Sequence, residues 1–203
     1  MVKKILMLMI VVTAISGSVC WAAPASNAQA GQEYQEMRKN LAWLTLGLND
    51  LGKSSDGKLK LTANQKKKIL PAFETLIANN LIMLTVPERD RHQNQSGVSR
   101  TQWDPNDARA QARLRKMKDQ TELGNRQADL IDGFLTEKQL SYIDNLNFDP
   151  EKYGFLDFQK IFGGNQHGRP DQKVIDEMRA KTRAGQETLV KLNNEVLKML
   201  KSS

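Results

Sequence analysis

The chain has 203 residues, with 30 Lys and Arg against 23 Asp and Glu, for a formal net charge of +7, and it carries one cysteine and two histidines. A lone Cys20 rules out an intramolecular disulfide, so stability must come from packing. The length suits one domain with a sizeable core.

Residues 1–22 read as an export signal. Lys3 and Lys4 precede the apolar run "ILMLMIVVTAI", and "CWAA" supplies small residues for cleavage after Ala22. The apolar run is short for a bilayer span, so no stable membrane insertion is expected after cleavage. Lipidation of Cys20 is the alternative to its removal, although the preceding "GSV" lacks the leucine-led pattern of such sites. Loss of Lys3 and Lys4 leaves a charge of +5 on the mature chain. The expected location is the periplasm, or the outer side of the cytoplasmic membrane. A basic protein there meets acidic polypeptide, lipid headgroups or envelope polymers, and no nucleic-acid partner is expected.

From residue 31 to 52, Tyr34, Met37, Leu41, Leu44, Leu48 and Leu51 alternate by threes and fours, which predicts a first helix with one apolar face. "GKSSDGK" breaks it and leads into "LTANQ", residues 61–65. A second helix follows, with Ile69, Leu70, Phe73, Leu76, Ile77 and Leu81 on one side. Pro71 lies inside it and predicts a kink or restart, because proline removes a backbone donor and crowds the carbonyl four residues earlier. Residues 85–103 have no periodicity and read as a long polar loop. "DPND" supplies helix-start signals in Asp104, Pro105 and Asp107. The third helix carries the stripe Ala110, Leu114, Met117, Thr121, Gly124, Ala128, Ile131 and Leu135.

"LTEKQ", residues 135–139, repeats the Leu-Thr-x-x-Gln pattern and opens a short fourth helix with Leu140, Ile143 and Leu146 on one face. "DPEK" repeats the Asp-Pro start, and Tyr153, Phe155, Phe158 and Phe162 read as a core-covering segment. The last helix, from Pro170 to about Lys201, holds Ile175, Met178, Thr182, Gly185, Leu189, Leu192, Val196 and Met199 in register. Met-x-x-x-Thr-x-x-Gly occurs in both long helices, at Met117 and Met178, placing small residues where helices cross closely. The fold class is all-α: elongated helical hairpins or a bundle of about five to six helices. Its layout is a signal at 1–22, a helical region at 23–147 and a C-terminal helical extension at 148–203.

In each Leu-Thr-x-x-Gln, the threonine can cap a helix while the glutamine reaches back to the threonine's own NH, forming a capping box. Leu135 can staple to Leu140, whereas the first copy has Lys66 at that place. Capping explains each copy but not the presence of two. Two such boxes 74 positions apart, at Leu61, Thr62 and Gln65 and at Leu135, Thr136 and Gln139, each opening a helix, resemble the Spy and CpxP family of bacterial envelope-stress proteins. The resemblance covers roughly residues 31–147. It implies an ATP-independent periplasmic chaperone or stress-signalling modulator that dimerises as a thin, curved helical cradle. Pro71, the 85–103 loop and residues 149–203 depart from the short members of that family.

No catalytic constellation is legible. "FGGNQHG" lacks the lysine and hydroxyl of a phosphate loop, and no H-E-x-x-H or serine elbow occurs. The chain therefore reads as a non-enzyme without a cofactor. His92 and His167, the only histidines, form no ligand pair at helical spacing, so no metal is expected, and the two stand only as weak candidates for a site assembled from both loops. The surface expected to meet unfolded or partly folded clients is the basic set Lys66, Lys67, Lys68, Arg109, Arg113, Arg115, Lys116 and Lys118. Lysine and arginine attract acidic chain at long range, and their aliphatic stems offer apolar contact. The alternative is a regulatory or metal-sensing modulator that docks on an envelope receptor.

Overall fold

The computed structural model describes residues 25–86, 108–156 and 172–202. Within them the chain is all-α, with helices α1 (Ala25–Lys53), α2 (Ala63–Ala78), α3 (Ala108–Asp132), α4 (Glu137–Asp144) and α5 (Gln172–Lys201), and a single 3₁₀ turn at Pro150–Tyr153. Residues 1–22, the helix start at Asp104 to Asp107, Phe158, Phe162 and both histidines lie outside the described residues.

The apolar stripes set the packing. Met37, Leu41, Leu44, Leu48 and Leu51 of α1 are all buried, because a three-four alternation keeps them on one side of the helix. They share one core with Ile69, Phe73 and Leu76 of α2, Ile131 at the end of α3, Ile143 of α4, and Val196 and Leu200 of α5. The 148–203 region thus supplies core to the same cluster as the 23–147 region. A second, smaller cluster joins Ala42 of α1, Tyr153 of the 3₁₀ turn, and Leu189 and Leu192 of α5.

Paired contacts fix the helix directions. Gly31 faces Met117, and Gly124 lies against Met37, so α1 and α3 run the same way. Gly52 meets Met199, and Lys53 pairs with Glu195 at 2.6 Å, which places the C-terminal ends of α1 and α5 together. Helix α2 runs opposite to both neighbours. Its start meets the end of α3, and Asn79 at its end accepts from Gln120 at 3.3 Å. Lys201 reaches Glu74 of α2 at 3.2 Å.

Helix α2 runs without a restart through Pro71, which is exposed. It ends at Ala78, before Leu81. Asn80 takes a left-handed φ of 56°, the NH of Leu81 donates to the carbonyl of Leu76 at 2.9 Å, and that of Asn80 donates to Ile77 at 2.9 Å. These are the two bonds of a Schellman cap, with asparagine where glycine is commonest. Leu81 is buried after the turn and not on the helix face. The departing strand of chain is held by α5: the amide of Asn193 donates to the carbonyl of Met83 at 2.8 Å, and that of Asn194 to Leu84 at 3.1 Å.

The start signal at "DPEK" yields only the 3₁₀ turn, which Asp149 caps and Gly154 ends at φ 83°. Tyr153 stacks on Phe148 with centroids 5.3 Å apart. Burial, and then Asp50 and Asp149, raise its hydroxyl pKa. The two Met-x-x-x-Thr-x-x-Gly segments do mark close approaches. A Cβ on Gly124 would meet the Met37 side chain, and one on Gly185 would strike the backbone of Gly154 and Tyr153.

Candidate functional site: the paired Leu-Thr-x-x-Gln boxes

Each box first does what its sequence dictates. Thr62 and Thr136 stand at φ −72° and −79° with extended ψ, the geometry of a residue just before a helix. The Thr62 hydroxyl accepts from the NH of Gln65 at 3.2 Å, and the Thr62 NH donates to Gln65 Oε1 at 3.0 Å. In the second copy the corresponding bonds are 3.3 Å and 2.9 Å. Both are complete capping boxes. Leu61 and Leu135 are buried in the main core, with Leu140 packed against that core.

The fold then brings the two boxes together. Gln65 Nε2 donates to Gln139 Oε1 at 2.7 Å and to the carbonyl of Phe134, just before the second box, at 2.9 Å. Gln139 Nε2 donates in return to the carbonyl of Leu59, just before the first box, at 3.0 Å. Longer approaches of 3.4 Å link it to Lys60 and to Gln65 Oε1. Each glutamine thus uses its oxygen to cap its own helix and its NH2 to hold the lead-in of the other. Gln139 is 1% exposed, so it has almost no water to fall back on.

This geometry gives a reason for glutamine in both copies. A capping box needs only an acceptor, and glutamate serves as well as glutamine. The crossed bonds need a donor on the same side chain, which a carboxylate lacks. The sequence held that signal in the repeated glutamine, but nothing in either box alone points to its partner.

Close to the junction, Lys68 Nζ lies 5.8 Å from the Phe134 ring centre, in range of a cation–π attraction. Half-buried Asp132 has its pKa raised to about 6, first by desolvation and then by Asp129 and Asp144.

The eight candidate cations do not form one patch. Lys66, Lys67 and Lys68 start α2, beside the C-terminal end of α3, and Lys67 borders a shallow depression with Leu70 and Leu200. Arg109, Arg113, Arg115, Lys116 and Lys118 are exposed in the first half of α3. Arg115 and Lys116 border a second depression there, with Asp119 on its edge. Roughly 24 Å of helix separates Lys116 from the end of α3, at 1.5 Å per residue. Antiparallel packing places α2 alongside the end of α3, and this puts the lysines there.

Among the described residues, no group of three or more His, Cys, Asp or Glu is placed to hold a metal ion. Among the same residues, no helix is long and apolar enough to cross a membrane. Comparison with known family models, curated proteins and solved structures finds no match to this chain.

Proposed function

We infer that the protein is an exported envelope-stress chaperone of the Spy and CpxP type, holding partly unfolded polypeptides without ATP. The observation that carries this reading is the joining of the two Leu-Thr-x-x-Gln boxes through Gln65 and Gln139. A two-copy motif whose copies complete each other is an architectural signature, and the resemblance rests on that architecture. Support for client binding comes from the exposed cations at both ends of α3, next to shallow depressions and not deep pockets. Such a surface attracts acidic, partly unfolded chain over a distance set by salt screening, and demands no fixed shape of it.

The resemblance also implies a homodimer. The apolar stripe of α1 is already buried within one chain, so a dimer would use other surface. Sedimentation of the purified protein tests this part, and a monomer removes it.

For the activity, a reductant-unfolded client is followed by light scattering with equimolar protein. Suppressed scattering that weakens as salt rises past about 0.15 M, where the screening length is near 8 Å, is the expected result. Undiminished scattering would refute the chaperone reading.

A further inference from the structure

A cavity of about 330 Å³ lies between α1, the 3₁₀ turn and α5. Its size is at the lower end of small-molecule sites, about 300–1,000 Å³. Among the described residues its lining has two cations, Arg38 and Lys39, and no carboxylate. Neither forms an ion pair with a described residue. Nε of Arg38 is buried without a hydrogen-bond partner. A narrow void next to it reaches Asn193, whose side chain is fully buried and whose Oδ1 also lacks a partner.

Arg38 is partly buried, and withdrawing even part of a guanidinium from water costs free energy when the buried nitrogen has no partner. A ligand that brings an anion to Arg38 offsets it. Met83, Phe155 and Leu189 give the cavity one apolar wall, while Gln35, Thr182 and Gln186 add neutral polar groups to its lining. The guanidinium fork matches the two oxygens of a carboxylate, and the apolar wall suits a hydrocarbon body. Inorganic phosphate would leave that wall without contact.

We propose that this cavity binds a small carboxylic acid, with its carboxylate on Arg38 beside Lys39 and its apolar body against Met83, Phe155 and Leu189. The site is separate from the cationic ends of α3 and does not rest on the chaperone reading. Its test is a binding measurement, independent of any effect on aggregation.

Calorimetric titration of the purified protein with N-acetyl-leucine and with the uncharged N-acetyl-leucinamide isolates the carboxylate. The acid is expected to bind at least about tenfold more tightly than the amide, as charge-assisted hydrogen bonds require. Arg38→Gln removes that preference, and Lys39→Gln weakens the acid about threefold without moving the thermal transition. Lys60→Gln, a change at an exposed lysine outside the cavity, leaves binding unchanged. The proposal is overturned if neither compound binds, if acid and amide bind alike, or if Arg38→Gln keeps the preference. Competition by inorganic phosphate at equal concentration also overturns it, since the site would then be a plain anion attraction.

Discussion

Gln139→Glu is the sharpest test of the box junction, because it preserves capping while removing the crossed donation. The introduced carboxylate can still accept from the Thr136 NH and from Gln65 Nε2, which sit at 2.9 Å and 2.7 Å from the present oxygen. Its second oxygen takes the place of Nε2, 3.0 Å from the carbonyl of Leu59. One good bond is lost, worth about 1 kcal/mol net, and a carbonyl oxygen is left facing another oxygen at a cost of about 1–3 kcal/mol. Since position 139 is 1% exposed, burial of the charge adds to this. The expected loss at pH 7 is about 3 kcal/mol. With a urea slope of about 2 kcal/mol per molar, the unfolding midpoint drops by about 1.5 M. At pH 4 the carboxyl protonates and regains a donor, so the loss shrinks. A midpoint shift below about 0.3 M at pH 7 would mean that glutamine serves only as a cap, and the crossed junction would carry no stability.

The pair should also be energetically coupled. Gln65→Ala and Gln139→Ala share the 2.7 Å bond, so the double variant loses about 1 kcal/mol less than the two single losses combined; strict additivity in urea melts refutes the coupling. Gly185→Ala drives a methyl into the Gly154 backbone and should cost more than about 3 kcal/mol, as overpacking against main chain cannot relax by side-chain movement. Gly57→Ala, with nothing within 4 Å of the added carbon, stays within about 0.5 kcal/mol of the parent, and equal effects of the two would refute the close approach. Asp132 has a folded pKa raised from 3.8 to about 6, so the folded state binds its proton more tightly than the unfolded chain. Its contribution favours folding at low pH and is lost as pH rises from about 4 to 6. Asp132→Asn should flatten that slope and stabilise the protein at pH 7 by about 1 kcal/mol, after allowance for solvent screening at this half-buried site. An unchanged slope in melts from pH 4 to 7 would refute the assignment.

Most of the helical architecture was legible in the sequence, because its causes are local. The alternation Met37, Leu41, Leu44, Leu48 and Leu51 predicts the buried face of α1, and Leu189, Leu192 and Val196 of the last stripe are buried in α5, although its final member Met199 is only partly buried and Leu200 takes the core position. Both capping boxes were legible for the same reason: their bonds span three residues. Helix α2 ends before the point its apolar pattern predicts, since that pattern runs on through Leu81 and Asn79 and Asn80 are a less conspicuous stop than glycine. "DPEK" carried a correct start signal but gave only one 3₁₀ turn, which Gly154 ends.

The local sequence therefore determined which segments are helical, where two of them begin and which faces are apolar. Tertiary structure alone decided what those faces and caps meet. The parallel course of α1 and α3, with α2 running against them, separates the lysines of α2 from the cations of early α3. Packing around Arg38 decided that its Nε is buried beside a cavity with no counter-charge among the described residues. The antiparallel packing of α2 against α3 joined Gln65 to Gln139 across 74 residues of chain. A glutamine's oxygen can be satisfied within its own turn of helix, but its NH2 needs an acceptor that only the neighbouring segment supplies.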